Sequence, residues 1–121
     1  MFKSAISIAA FALLVSLPSV AQSKDLIDNK NEFIQKVVGK KVAQNDNTWL
    51  RMASNGKIDG RVKGIKVTGK WYWQGKFWCR TARIGIIPVP RECQQITLLG
   101  GNKLELQRYK GTGSKHNYTM Y

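Results

Sequence analysis

The sequence predicts a mainly β fold: a small antiparallel up-and-down barrel, or a strongly bent sheet, of seven to eight strands with one N-terminal helix. Three observations carry this. From Lys41 onward apolar residues recur with period two, in short runs separated by Gly, Asn and Ser, as in half-buried strands joined by tight turns. Before Lys41 one stretch of the mature chain has helical spacing instead. Gly69 interrupts a strand pattern on its apolar side, where a sheet closing on itself has to bend.

The first 21 residues read as a secretory signal peptide. Met1 and Lys3 form a positive start, Ala5 to Leu17 is an apolar run of 13 residues, and Ser19-Val20-Ala21 offers small residues for cleavage. A membrane-spanning helix needs roughly 20 apolar residues, so the run is short for an anchor. Residues 22–121 then form one domain of 100 residues, expected in the periplasm or the extracellular medium. Export makes a disulfide available, and the two cysteines of the chain, Cys79 and Cys93, are expected to bond each other. Closing such a loop is worth roughly 3 kcal/mol on the chain-entropy model.

Along the chain, Leu26, Ile27, Phe33, Ile34, Val37 and Val38 lie on one helical face. Asn29 or Asn31 can cap this helix and Gly39 can end it, with Lys24 to Lys30 as an irregular arm. Val42 to Gln44, Thr48 to Ala53 and Lys57 to Lys63 are strands, the last two flanking the hairpin signal Asn55-Gly56. Ile65, Val67, Trp71 and Trp73 share one parity. Val62 has the opposite one, which suggests a bulge or corner near Gly64.

The stretch from Gly69 to Arg80 holds three of the four tryptophans and reads as a hairpin turning at Gln74-Gly75-Lys76. Its return strand is Phe77 to Ile84, with Phe77 and Cys79 expected on the inner face and the disulfide packed on Trp71. Pro88 and Pro90 make Gly85 to Arg91 a loop whose ends the disulfide ties. Glu92 to Leu99 and Lys103 to Tyr109 form a third hairpin with Ile96, Leu98, Leu104 and Leu106 facing in. Cys93 has the other parity, so either a bulge intervenes or the cysteine precedes the regular strand. A Gly-rich turn over Lys110 to Lys115 leads to a last strand, His116 to Tyr121.

The pattern Gly69-x-Trp71-x-Trp73-x5-Cys79-Arg80, then Cys93-Gln94, resembles a group of small exported bacterial proteins. Phe33-x3-Val37-x-Gly39-Lys40 matches their start, and the likeness covers nearly the whole mature chain. Such proteins sometimes carry the label dihydrodipicolinate reductase. A nicotinamide reductase needs a parallel βαβ unit with a Gly-rich phosphate loop, and no stretch here supplies one. The resemblance therefore implies a compartment and a disulfide-braced β fold.

Catalytic and metal chemistry find little purchase. His116 is the only histidine, and with both cysteines bonded a metal lacks ligands; no cofactor motif is present, and no nucleophile pairs with His116. Gly111-Thr112-Gly113-Ser114-Lys115 lacks the phosphate-loop spacing and reads as a hairpin turn. Charge is the stronger signal. Without Lys3 the 20 basic residues become 19 against 7 acidic, a net charge of +12.

Nine of those cations lie between Lys57 and Arg91, with Asp59 the one acid among them. Lys66, Lys70 and Tyr72 share a strand face, and Trp78 and Arg80 are placed on the adjoining one, an arrangement of cations and aromatic planes suited to stacking and to anion binding. The expectation is a non-enzymatic exported binding module for an anionic polymer, a lipid surface or an acidic protein. The alternative is an inhibitor of a secreted or periplasmic hydrolase that presents Ile86, Ile87 and Val89 on a loop. A third reading, an enzyme with an unrecognised site, requires a pocket holding at least two of Asp59, Glu105 and His116.

Overall fold

Turn length decides which side chains of this chain face one another. The computed structural model describes residues 24–121, so the predicted signal peptide lies outside the described residues. Gly75, with φ +61°, and Lys76 make a two-residue connection between β5 (Ile65–Gln74) and β6 (Phe77–Ile84). Trp73 therefore pairs with Trp78, Trp71 with Arg80, and Tyr72 with Cys79. Trp78, Arg80, Ala82 and Ile84 share the inner face with Val67 and Trp71. Cys79 faces outward, against the expected placing of Phe77 and Cys79 inside.

The remaining elements are β1 (Asp25–Ile27), α1 (Lys30–Lys36), β2 (Lys41–Asn45), β3 (Thr48–Met52), β4 (Lys57–Val62), β7 (Ile87–Gly100), β8 (Lys103–Gln107), α2 (Arg108–Gly111) and β9 (Lys115–Met120). Each strand from β2 to β9 pairs antiparallel with the next, and β9 returns to β2, closing an eight-stranded barrel. β1 adds to the 14-residue β7 at Ile96 to Leu98, just past Gln94, where pairing of β7 with β6 ends. The arm before the helix is thus a strand rather than irregular, because β7 outruns β6 and leaves an edge to fill.

Bending relies on glycine. Gly60 and Gly69 occupy inner-face positions of β4 and β5, and a Cβ at either would collide with the backbone of the neighbouring strand, at Trp49 and Thr81 respectively. At the β4–β5 connection Lys63 and Gly64 both have positive φ, +50° and +79°, so Val62 and Ile65 face each other across a two-residue turn. The parity change seen in the sequence is this turn, and no bulge lies there.

Helix α1 closes one end. Its Asn29 cap accepts a hydrogen bond from the Glu32 amide at 2.9 Å. Phe33 is fully buried, 4.9 Å from the Trp71 ring centroid in an edge-to-face pair and 5.5 Å from that of Trp73. Burying such a ring contributes roughly 1.5–3 kcal/mol, and an aromatic pair adds about 0.5–1.5 kcal/mol. Around it pack Ile27, Val37, Val42, Met52, Trp78, Ile96, Leu104 and Met120.

Two further expectations change. Residues 87–91 belong to β7 despite Pro88 and Pro90. On that half β7 has a strand neighbour on the β6 side alone, so a residue without an N–H is tolerated as on a sheet edge. The disulfide also does different work. Cys79 and Cys93 sit directly opposite each other with Cα atoms 3.9 Å apart, and the bond staples adjacent strands on the outer face instead of tying loop ends. Cys93 simply points outward, as its parity requires, while Ile96, Leu98, Leu104 and Leu106 face in as expected.

Candidate functional site

The five residues singled out in the sequence divide between two surfaces. Lys66, Lys70 and Tyr72 lie on the outer face of β5, whereas Trp78 and Arg80 point into the barrel. Trp78 is 1% exposed, within 6.4 Å of Phe33, and offers no plane to a partner.

On the outer face, register lines up cations from neighbouring strands. Lys41 pairs with Arg51, Arg51 with Asp59, Asp59 with Thr68, and Thr68 with Arg83. On either side run the rows Lys57–Lys70–Thr81 and Trp49–Arg61–Lys66. The bend turns part of this face into a groove of about 1010 Å³ lined by Arg51, Lys57, Asp59, Lys66, Lys70 and Arg83 among others. The ion pairs among the described residues use Lys36, Arg80, Arg108 and Lys115 as their cations, so none is drawn from this face.

Two aromatic rings accompany the cations. Trp49, not singled out in the sequence, has the Lys41 ammonium 5.0 Å and the Arg51 guanidinium 5.6 Å from its ring centroid. Trp49 and Arg51 share a face of β3 by parity, a signal the sequence did carry, whereas Lys41 joins them only through the β2–β3 register. Tyr72 is not an open platform: the Arg91 guanidinium sits 5.1 Å over its ring and donates to Gln74 Oε1 at 3.0 Å. Its hydroxyl is buried without a partner among the described residues.

Inside the barrel the chemistry differs. Arg80 donates to the Pro90 carbonyl at 2.8 Å and to Glu92 Oε2 at 3.2 Å. Arg108 grips the same carboxylate, with Nε 3.1 Å from both oxygens and Nη2 2.7 Å from Oε2, and the Tyr109 amide donates to Oε1 at 3.2 Å. Burial by itself raises the Glu92 carboxyl, but the Arg108 and Tyr109 hydrogen bonds and the two guanidinium charges hold it below the usual carboxylate range. Burial lowers Arg80 and raises the Tyr118 phenol.

Tyr109 and Lys110 adopt left-handed backbone with φ +52° and +53°, and the bond from the Tyr109 amide to Glu92 helps fix that turn. It replaces the strand expected to run through Tyr109. Sequence reasoning missed Glu92 and Arg108 because they are 16 residues apart and meet only through the β7–β8 pairing.

Asp59, Glu105 and His116 do not share a pocket. Asp59 lies in the outer groove, Glu105 faces outward 3.9 Å from Lys115, and His116 lines the lumen with Ser114 Oγ 3.1 Å from its Nε2. Among the described residues no group of three or more His, Cys, Asp or Glu side chains is placed to hold a metal. No helix of the described residues is long and apolar enough to cross a membrane. No protein-family model, curated protein or solved structure matches the chain.

Proposed function

We propose that the protein is a non-enzymatic, exported binding module that holds an anionic polymer against the outer face of β2 to β6. One observation carries the reading: Arg51, Lys57, Arg61, Lys66, Lys70 and Arg83 are exposed on adjoining strands with Asp59 as the one acid in the rows, and none is neutralised by an ion pair among the described residues. Cations spaced by strand register along a groove match the repeating charges of an acidic polysaccharide or a single-stranded nucleic acid. The formed disulfide supports an oxidising compartment.

The test is a salt titration with heparin and DNA. Lys66→Ala and Lys70→Ala each lower the salt slope by about one unit on duplex DNA, because each lost phosphate contact releases one counterion fewer. Unchanged slopes in both variants overturn the assignment.

A specific observation favours the hydrolase-inhibitor reading as the second. Ile86 is 90% exposed, Ile87 66% and Ile65 52%, so three isoleucines form an apolar tip at the β6–β7 and β4–β5 turns, whereas Val89, expected there with Ile86 and Ile87, is half-buried and lines the lumen. The double variant Ile86→Asp, Ile87→Asp removes such a contact and leaves polymer binding intact.

A further inference from the structure

The lumen is a second site. Between the Trp78 layer and the barrel end opposite α1 lies a cavity of about 410 Å³, within the range of small-molecule pockets, roughly 300–1,000 Å³. An eight-stranded barrel is wide enough either to be filled by side chains or to hold one small ligand. Here filling is incomplete, because the small Ala82 stands at an inner-face position of β6 where a larger side chain would project into the cavity.

The lining is graded along the axis. Register places Arg80, Gln94 and Tyr118 midway along β6, β7 and β9, one inward position or so from the Trp78 layer, and so at the floor. Val62, Val67, Ile84 and Val89 line one side of the wall toward the open end, and Gln44, Thr48 and His116 line the other. Arg80 and Arg108 line the cavity, and Glu92, which holds both, is absent from its lining. Two guanidinium charges against one carboxylate leave a net +1 at the floor. A guanidinium has five N–H donors, and Arg80 is seen to engage two groups with them. Tyr118 adds a hydroxyl.

We infer that the barrel lumen binds a medium-chain amphipathic carboxylate, its head on Arg80 at the floor and its apolar chain along Val62, Val67, Ile84 and Val89 toward the open end. A single negative charge completes the cluster's balance, and the apolar side of the wall, Val62 to Val89 across β4 to β7, takes an uncharged chain. The polymer of the outer face does not fit here, so this site is independent of that one.

The experiment is calorimetric titration of the exported chain with decanoate, beside decanol and decyltrimethylammonium. Decanoate binds one to one, and both controls bind at least about tenfold more weakly, the scale of one lost hydrogen bond to a charged group. Arg80→Gln lowers decanoate affinity by a similar factor, and Arg80→Lys restores part of it. Ala82→Leu fills the cavity without touching the Arg80–Glu92–Arg108 cluster and abolishes saturable binding, which keeps the test valid if Arg80→Gln misfolds. Lys66→Ala and Lys70→Ala leave decanoate binding unchanged. The inference is overturned by absence of saturable decanoate binding, by equal affinity for decanol, or by binding that survives Ala82→Leu. Loss on Ile86→Asp alone assigns the ligand to the apolar tip and overturns it as well.

Discussion

Glu92 has the most demanding position of any acid in the described chain. Its side chain is 7% exposed, yet it stays charged because Arg108, the Tyr109 amide and Arg80 occupy its oxygens. Breaking a buried pair by removing one partner leaves charge uncompensated, so Glu92→Gln, which strands both guanidiniums, is expected to cost about 3 kcal/mol in chemical denaturation. The pH dependence has a definite sign. A carboxyl held below its unfolded value contributes stability above roughly pH 4.3 and loses it as the pH falls through the lower folded value. The parent protein should lose stability across that acid window, and Glu92→Gln should show a flatter profile; matching profiles would remove Glu92 from the account. At Tyr72 the outward plane belongs to Arg91, so the two act as one unit. If the outer face holds a polymer as proposed, Tyr72→Ala and Arg91→Ala are each expected to weaken that binding, with the double variant adding less than the sum of the singles in a double-mutant cycle.

At the scale of elements, two-residue turns govern the fold. Had the turn taken in Gln74 as a third residue, Cys79 would have paired with Trp71 on the inner face and Arg80 would have faced solvent. β1, expected as an irregular arm, is a strand only because β7 offers it an edge, whereas most strands of the barrel, the helix and the cysteine pair were legible because period and turn residues signal them locally. Which face of β6 is inner was not, since it depends on the length of one turn. The path of 85–91 was obscured by Pro88 and Pro90, whose tolerance arises from a missing strand neighbour that no local pattern records. The site divided for the same reason: Lys66, Lys70 and Tyr72 follow the parity of a single strand, while Trp78 and Arg80 required the turn. Stapling β6 to β7 beside the bulge between Arg80 and Ala82 holds the strands that carry Arg80 and Glu92. Cys79→Ser with Cys93→Ser is therefore expected to lose about 3 kcal/mol of stability, measured by urea denaturation. A midpoint unmoved by the double substitution would show that the staple is idle.

For the whole molecule, the issue is whether a formal charge of +13 acts as a diffuse field or as a patterned face. Closing the sheet places the rows of β3 to β6 on one side, while Lys24, Lys40, Lys76 and Lys103 are exposed outside those rows, at the arm, between elements and at the start of β8. Two variants of equal charge separate the cases: Lys57, Lys66, Lys70 and Arg83 all changed to Gln, and Lys24, Lys40, Lys76 and Lys103 all changed to Gln. Both lose the same net charge, so a diffuse field weakens heparin binding equally in the two. A patterned face loses direct contacts only in the first, since screening over a Debye length of about 8 Å at physiological salt suppresses exposed charges away from the polymer. The first variant is then expected to lower the logarithmic salt slope on duplex DNA by about three to four units, and the second by less than one. Affinity at low salt alone does not discriminate, because long-range attraction survives there. Measured from about 0.05 to 0.2 M salt, where contact number sets the slope, equal slopes in the two variants reduce the outer face to general cationic surface, and the binding site then has to be sought elsewhere on the barrel.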